Sequence, residues 1–516
     1  MKYSNIVTRK LPMILLAVGM IATFTGCKKF LDTQRQGEYN EENYPYPGGT
    51  GPYDQYILGA YTDLRGYNVH ADAFIVATSI RSDDADKGST ASDGGADVIT
   101  MDNFPVLSNN GRANAMWTAY YGLINKCNNT LYQISTNTNI VADEAVKTQS
   151  RAEVRFIRGY AYFMMVRLYG RVPKIDTLFQ DPAAQNNVPQ SSVADMYAFI
   201  ESDLTYAAAN LPASWDPKFV GRVTSGAANG ILAKVYLTQK KWAQAKAAAT
   251  AVMTSGRYNL NTTYANIFSE VGENSSESVF EIQGTANAQI KTNNGIQYAS
   301  IQGVRGPGEW NMGWGWNTPS TYLEAAYEAN DPRKARTILY TTDANRPGVT
   351  MYGEITPIGL PNPRYNQKVY TSPGERARVN DRFGYWMNVR ILRYADVVLM
   401  FAEASNEMGG TDNIEAARLA LNTVRARARI GAPAGTLPDR VTTDQSELRD
   451  FIRHERRIEL AMEHDRFFDI VRWGIADDAM HSAGKPNFSA ARDALLPIPQ
   501  AQIDLSNGVL TQNPGY

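Results

Sequence analysis

Residues 233–245 read AKVYLTQKKWAQA and place small Ala233 and Ala245 around aromatic Tyr236 and Trp242. The steps of three and four before about residue 239, and again from Trp242, predict two consecutive helices. Alanines at these positions let two antiparallel helices touch closely. The same logic recurs in LMFAEASNEMGGTDNIEAARLALNTVRARA (399–428), which reads as an apolar helix, a Gly-Gly turn and an amphipathic helix with Ala416 and Ala417 near its start. Upstream, WTAYYGLINKCNNTLYQI (117–134) sets Trp117, Tyr120, Tyr121, Ile124, Cys127, Leu131 and Ile134 at helical steps. VRFIRGYAYFMMVRLYG (154–170) is apolar nearly all round, which predicts a central helix ended by Gly170 and Pro173. Further helices are expected over about 191–210 and 224–239.

The 233–245 spacing is that of a tetratricopeptide repeat, whose helix pairs stack to bury a shared core. The expected class is therefore all-α, with helical parts over 57–257 and 391–516. Between them, residues 258–390 are rich in Gly, Asn, Pro and aromatics, with short alternating runs such as SVFEIQ (278–283). That pattern predicts an irregular subdomain of loops and short strands, where binding residues concentrate on a rigid scaffold. The end of the chain carries Pro497, Pro499 and Pro514 and is expected to run extended over the surface.

The first residues follow a secretory layout: Lys2, Arg9 and Lys10, an apolar run from Leu11 to Phe24, then Thr25 and Gly26 before Cys27. The apolar run is short of the roughly 20 residues a membrane-spanning helix needs. The Gly-Cys junction resembles a bacterial lipobox, with Phe24 where that motif usually has Leu. A lipidated Cys27 would leave a signal peptide over 1–26, an extended tether over 27–56 and a protein anchored to a membrane surface rather than spanning it. A plain signal peptide with an incidental cysteine is the alternative. The whole chain has net charge -1, and removing the three positive charges of the signal leaves a mildly acidic mature protein, which argues against nucleic acid as a partner. The two cysteines, Cys27 and Cys127, give no internal disulfide if the first is lipidated, and Cys127 reads as a buried apolar residue.

Five stretches in order carry a resemblance: RAEVRFIRGYAYFMMVRLYGRVP, GRVTSGAANGILAKVYL, RILRYADVVLMFAEASNE, LRDFIRHERRIELAMEHDRFFDIVRWG, and the end from LLPIP to QNPGY. Together with the lipobox-like start they resemble the SusD/RagB family, outer-membrane nutrient-binding lipoproteins of Bacteroidetes. The resemblance implies four tetratricopeptide-like helix pairs, an irregular subdomain with the ligand site, surface exposure at the outer membrane and a SusC-like TonB-dependent transporter as partner. It also implies capture of an oligosaccharide, or in a minority of members a peptide, without bond chemistry and without a cofactor. GVRGPGEWNMGWGW (303–316) offers Trp310, Trp314 and Trp316 among five glycines as stacking candidates. Tyr298 lies where relatives place another aromatic. The second family loop, RSDDADKGSTASDGGADV (81–98), lacks the Trp that relatives often have and supplies Arg81, Asp83, Asp84 and Asp93 as polar candidates. It reads as a solvated polar loop; a calcium loop is the alternative, although the EF-hand spacing is absent.

Enzyme signatures are missing. HERRI (454–458) has Ile458 where a zincin needs its second histidine. No G-x-S-x-G elbow or Walker A loop occurs. A surface glycosidase needs only two carboxylates brought together in space, so spacing alone leaves it open. Glu455, Asp396 and Glu403 fall on apolar helix faces, and the nearby Arg453, Arg456, Arg457, Arg466 and Arg472 are expected to pair with them as helix-locking salt bridges.

Overall fold

The computed structural model describes residues 51–516. The expected signal peptide, Cys27 and the tether as far as residue 50 lie outside the described residues. Helix α1 (Asp54–Leu64) starts inside the stretch expected to be tether, with Tyr53 and Ile57 already buried. After the short α2 (Gly95–Asn103), the long α3 (Gly111–Thr136) begins where the Asn110 side chain accepts from the backbone N–H groups of Arg112 and Ala113. In α4 (Glu144–Tyr169) every residue from Phe156 to Val166 is buried, as its apolar circumference requires, and Gly170 ends it at φ 71°. Then follow α5 (Val193–Asn210), α6 (Ser225–Thr238) and α7 (Trp242–Met253), the first two capped by Ser192 and Thr224. Ala233 and Ala245 are both fully buried. The chain resumes long helices with α8 (Tyr394–Met408), α9 (Thr411–Ala428), α10 (Gln445–Glu459) and α11 (Arg466–Trp473).

These helices pack in chain order: α1 on α3, α3 on α4, α4 on α5, α5 on α6, α6 on α7, then α7 on α8 and α8 on α9. The stack is tetratricopeptide-like and continues across the irregular region as if it were absent. Six short strands explain how: β1 (Ala85–Gly88), β2 (Ser278–Ile282), β3 (Trp316–Pro319), β4 (Ile338–Tyr340), β5 (Arg364–Asn366) and β6 (Val389–Arg393) form three antiparallel pairs, β1–β3, β2–β6 and β4–β5. The β2–β6 pair, with Ser278 opposite Arg393 and Ile282 opposite Val389, ties the region's way out to its way back. Its loops are thereby free to vary without moving α7 from α8. The C-terminal segment is not wholly extended, since it holds a short helix at Gln500–Leu505. Asn513 Nδ2 donates to the carbonyls of Tyr169 (2.9 Å) and Leu496 (2.8 Å), fixing that segment to the end of α4.

The buried charges do lock helices. Arg456 pairs with Asp396 and with Asp469 at 2.7 Å, and Arg472 Nη2 donates to Glu403 at 2.7 Å. Glu455 is partnered differently from expectation: Arg333 at 2.5 Å and Arg425 at 2.8 Å hold it. Arg453 lies instead over the Trp473 ring, 5.1 Å from its centroid. Cys127 is a buried free thiol whose pKa burial pushes upward, consistent with a packing role. No helix among the described residues is long and apolar enough to cross a membrane.

Candidate ligand-binding site

The 81–98 and 303–316 loops, far apart in sequence, are joined edge to edge by the β1–β3 pair, with Ala85 opposite Pro319 and Gly88 opposite Trp316. Gly88 sits at φ 74°, and a Cβ there would stand 2.4 Å from the Gly315 carbonyl oxygen. Only glycine allows the strands to meet at this point. Gly88→Ala is therefore expected to destabilise the junction by about 1–3 kcal/mol, the usual range for strained backbone, seen as faster hydrogen exchange of the β3 amides with the helical stack unaffected. Unchanged exchange would show that the loops are held elsewhere.

Arg305 completes the junction. Its Nη1 pairs with Asp93 and donates to Ser89 Oγ at 2.8 Å, while Ser89 Oγ donates to Asp93 at 2.5 Å. Arg305 and Asp93 both keep part of their side chains in solvent. Beside them the chain folds back: the Trp314 N–H donates to Ser300 O and the Gly315 N–H to Gly303 O, each at 2.9 Å. A Cβ on Gly315 would lie 2.9 Å from Arg305 Cβ, so the arginine stem passes directly against the residue after Trp314.

The candidates divide by depth. Trp316 is buried, and Trp314 packs edge-to-face against it with centroids 5.0 Å apart and an interplanar angle of 70°. Trp314 and Trp310 are half-buried; Trp310 leans on the Val304, Met312, Leu360 and Tyr370 cluster. Asp93 is half-buried in the ion pair just described. Tyr298 is buried, and its hydroxyl meets His464 Nε2 at 2.6 Å, so it has no face for a ligand. Arg81, Asp83 and Asp84 are also buried, which corrects the expectation of a solvated polar loop for its first part; Thr90, Ala91 and Ser92 further along are exposed. Asp83 is held by Arg466 at 2.7 Å and Asp84 by Arg457 at 2.6 Å; Arg81 donates to Asp493 O at 2.7 Å with its guanidinium over the Phe467 ring. Burial pushes the Asp83 carboxyl up, but Arg466 and Arg457 outweigh it and hold it below the ordinary value. These residues brace the loop against α10 and α11. Sequence reasoning did not single out Arg305 or Ser89; a lone long cationic side chain in a glycine-rich run was the available signal.

The exposed part thus combines an indole held on a rigid base, a cation–carboxylate pair and a hydroxyl. Such a set presents a flat apolar face with hydrogen-bond donors and acceptors at its rim. Two of the four histidines, His70 and His464, are buried, and burial lowers their pKa to about 4 and about 3, so they stay neutral inside the core. Among the described residues no group of three or more His, Cys, Asp or Glu is placed to hold a metal ion.

The architecture is that of a tetratricopeptide-like scaffold carrying a loop-built surface. Comparison with known proteins narrows this. The model of the SusD family matches residues 276–516, and a model described as starch-binding associating with outer membrane matches residues 54–237. SusD-like protein P2 of Formosa agariphila is 30% identical over 478 residues, covering 89% of this chain and 91% of that protein. The chain belongs to the SusD family. Among solved structures, a laminarin binding SusD-like protein superposes with TM-score 0.74 at 26% identity, covering 90% of this chain and 99% of that one. Surface glycan-binding protein A from Bacteroides thetaiotaomicron, in complex with laminarihexaose, shares the fold with TM-score 0.73 at 22% identity, over 89% of this chain and 98% of that one.

Proposed function

We propose that the protein is a cell-surface glycan-binding lipoprotein, anchored through Cys27, that captures an oligosaccharide and passes it to a TonB-dependent outer-membrane transporter. It performs no bond chemistry. The observation that carries the binding reading is the half-buried Trp314, braced by Trp316, on a loop whose next residue, Gly315, lies against the stem of Arg305, itself paired with Asp93 and Ser89. A pyranose ring stacks its C–H face on such an indole while its hydroxyls exchange hydrogen bonds with the charged pair. The family's description and the laminarin-binding neighbour support this ligand class.

Calorimetry with a glycan panel that includes laminarihexaose tests the site. Trp314→Ala is expected to weaken the bound glycan by about 1–3 kcal/mol, by analogy with bases stacking on aromatic side chains, with Trp310→Ala having a smaller effect. Full affinity in both variants would remove the site. An extended peptide recovered with the protein from cell envelopes, in place of a glycan, would overturn the ligand class.

A further inference from the structure

A cavity of about 340 Å³ shares no lining residue with the Trp314 surface. Its size falls at the small end of the range of roughly 300–1,000 Å³ for ligand pockets. One wall is a single face of α3, formed by Trp117, Thr118, Tyr121, Gly122 and Asn125. The facing walls bring Gln185 and Asn186 from the α4–α5 connection and Gln502 from the C-terminal segment. None of the lining side chains is charged.

One ring, that of the half-buried Tyr121, faces the cavity, and it is held in place: its hydroxyl donates to Pro173 O at 2.9 Å, and the buried Trp117 backs it with ring centroids 5.1 Å apart. By contrast, the side chains of Thr118, Asn125, Gln185 and Asn186 make no hydrogen bond within the described residues. Gly122 adds an independent pointer. It lies in the interior of a 26-residue helix, where glycine is unfavourable, yet a Cβ there would meet nothing within 4 Å. Neither turn geometry nor close packing explains a glycine at this position; what it provides is open space in the α3 wall of the cavity.

We propose that this cavity is a second saccharide site, taking one or two neutral pyranose units. The Tyr121 ring suits the C–H face of a sugar ring, and the free amides and hydroxyl suit its alcohol groups. The absence of lining charge selects against uronic acids, sulfated sugars and amino sugars carrying charge. Only the choice of ligand class rests on the reading of the protein as glycan-binding.

Saturation-transfer NMR on the mature protein tests it, with laminarihexaose and the methyl pyranosides of glucose, galactose, mannose and xylose as probes. Wild type is compared with Gly122→Leu, which fills the cavity, and Trp314→Ala, which removes the other site. Leucine favours the helix and its Cβ would meet nothing within 4 Å, so the variant is expected to fold; its melting curve checks this. At least one probe signal is expected to fall tenfold or more in Gly122→Leu while persisting in Trp314→Ala. If no signal behaves in that way, the second site does not exist. Failure of the Trp314 site is read separately, as the absence of any signal sensitive to Trp314→Ala.

Discussion

Glu459→Gln is expected to destabilise the folded protein by about 3–5 kcal/mol, the range for breaking a buried ion pair from one side. The Glu459 carboxylate is fully buried and meets three guanidiniums: Arg427 at 2.5 Å, Arg393 at 3.0 Å and Arg333 at 3.1 Å. Arg393 and Arg427 also share Glu277, and Arg333 also holds Glu455, so one residue joins α9, α10, β6 and the irregular region. Removing its charge leaves buried cations short of a counter-ion. The pH dependence follows with a definite sign. Burial pushes the Glu459 carboxyl up, but Arg427, Arg393 and Arg333 outweigh it and lower it to about 2. An unfolded glutamate titrates near about 4.3. The stabilisation is therefore complete above that value and is lost as pH falls toward 2. Urea unfolding at pH 7 and pH 3 should show wild type losing stability on acidification by more than Glu459→Gln does, with exposed Glu144→Gln indistinguishable from wild type. A Glu459→Gln protein as stable as wild type at pH 7 would mean that the cluster is not what holds these elements together.

That cluster also shows where sequence reading stops. Helical periodicity was enough to find α3, α4 and the α6–α7 pair, because apolar steps and terminal glycines are local signals. The presence of acids and arginines on apolar faces pointed to ion pairing for the same reason. Which acid meets which arginine was not legible, since Glu455 is paired with Arg333 across 122 positions of chain. The same limit governed the 81–98 loop. Its first four residues look solvated in their own sequence, and only Arg457 and Arg466, 373 and 383 positions away, turn Asp84 and Asp83 inward. In the glycine-rich loop, three tryptophans in a row of similar surroundings gave no local means of separating the one that enters a strand from those that remain near the surface.

Trp316 and Trp314, two positions apart, should therefore fail in different ways. Trp316→Ala is expected to cost about 3–5 kcal/mol of stability, as for other buried large-to-small changes. The indole is only 4% exposed, sits opposite Gly88 in the β1–β3 ladder, and lies so near Gly94 that a Cβ there would come within 3.0 Å of it. Its loss opens a cavity beneath both loops and removes the ring on which Trp314 rests, so glycan affinity should fall along with stability. Trp314→Ala should reduce affinity with a smaller change in unfolding free energy, because that ring is only partly buried. Trp316→Phe separates packing from hydrogen bonding: Trp316 Nε1 is buried without a partner, so phenylalanine removes an unsatisfied donor while keeping an aromatic edge under Trp314. Phe should accordingly recover most of the stability and affinity that Ala loses, measured by urea unfolding and calorimetry on the same preparations. Were Trp316→Ala to unfold at the wild-type urea concentration, the indole would not be the support of this surface, and the division between a buried brace and an exposed platform would fall with it.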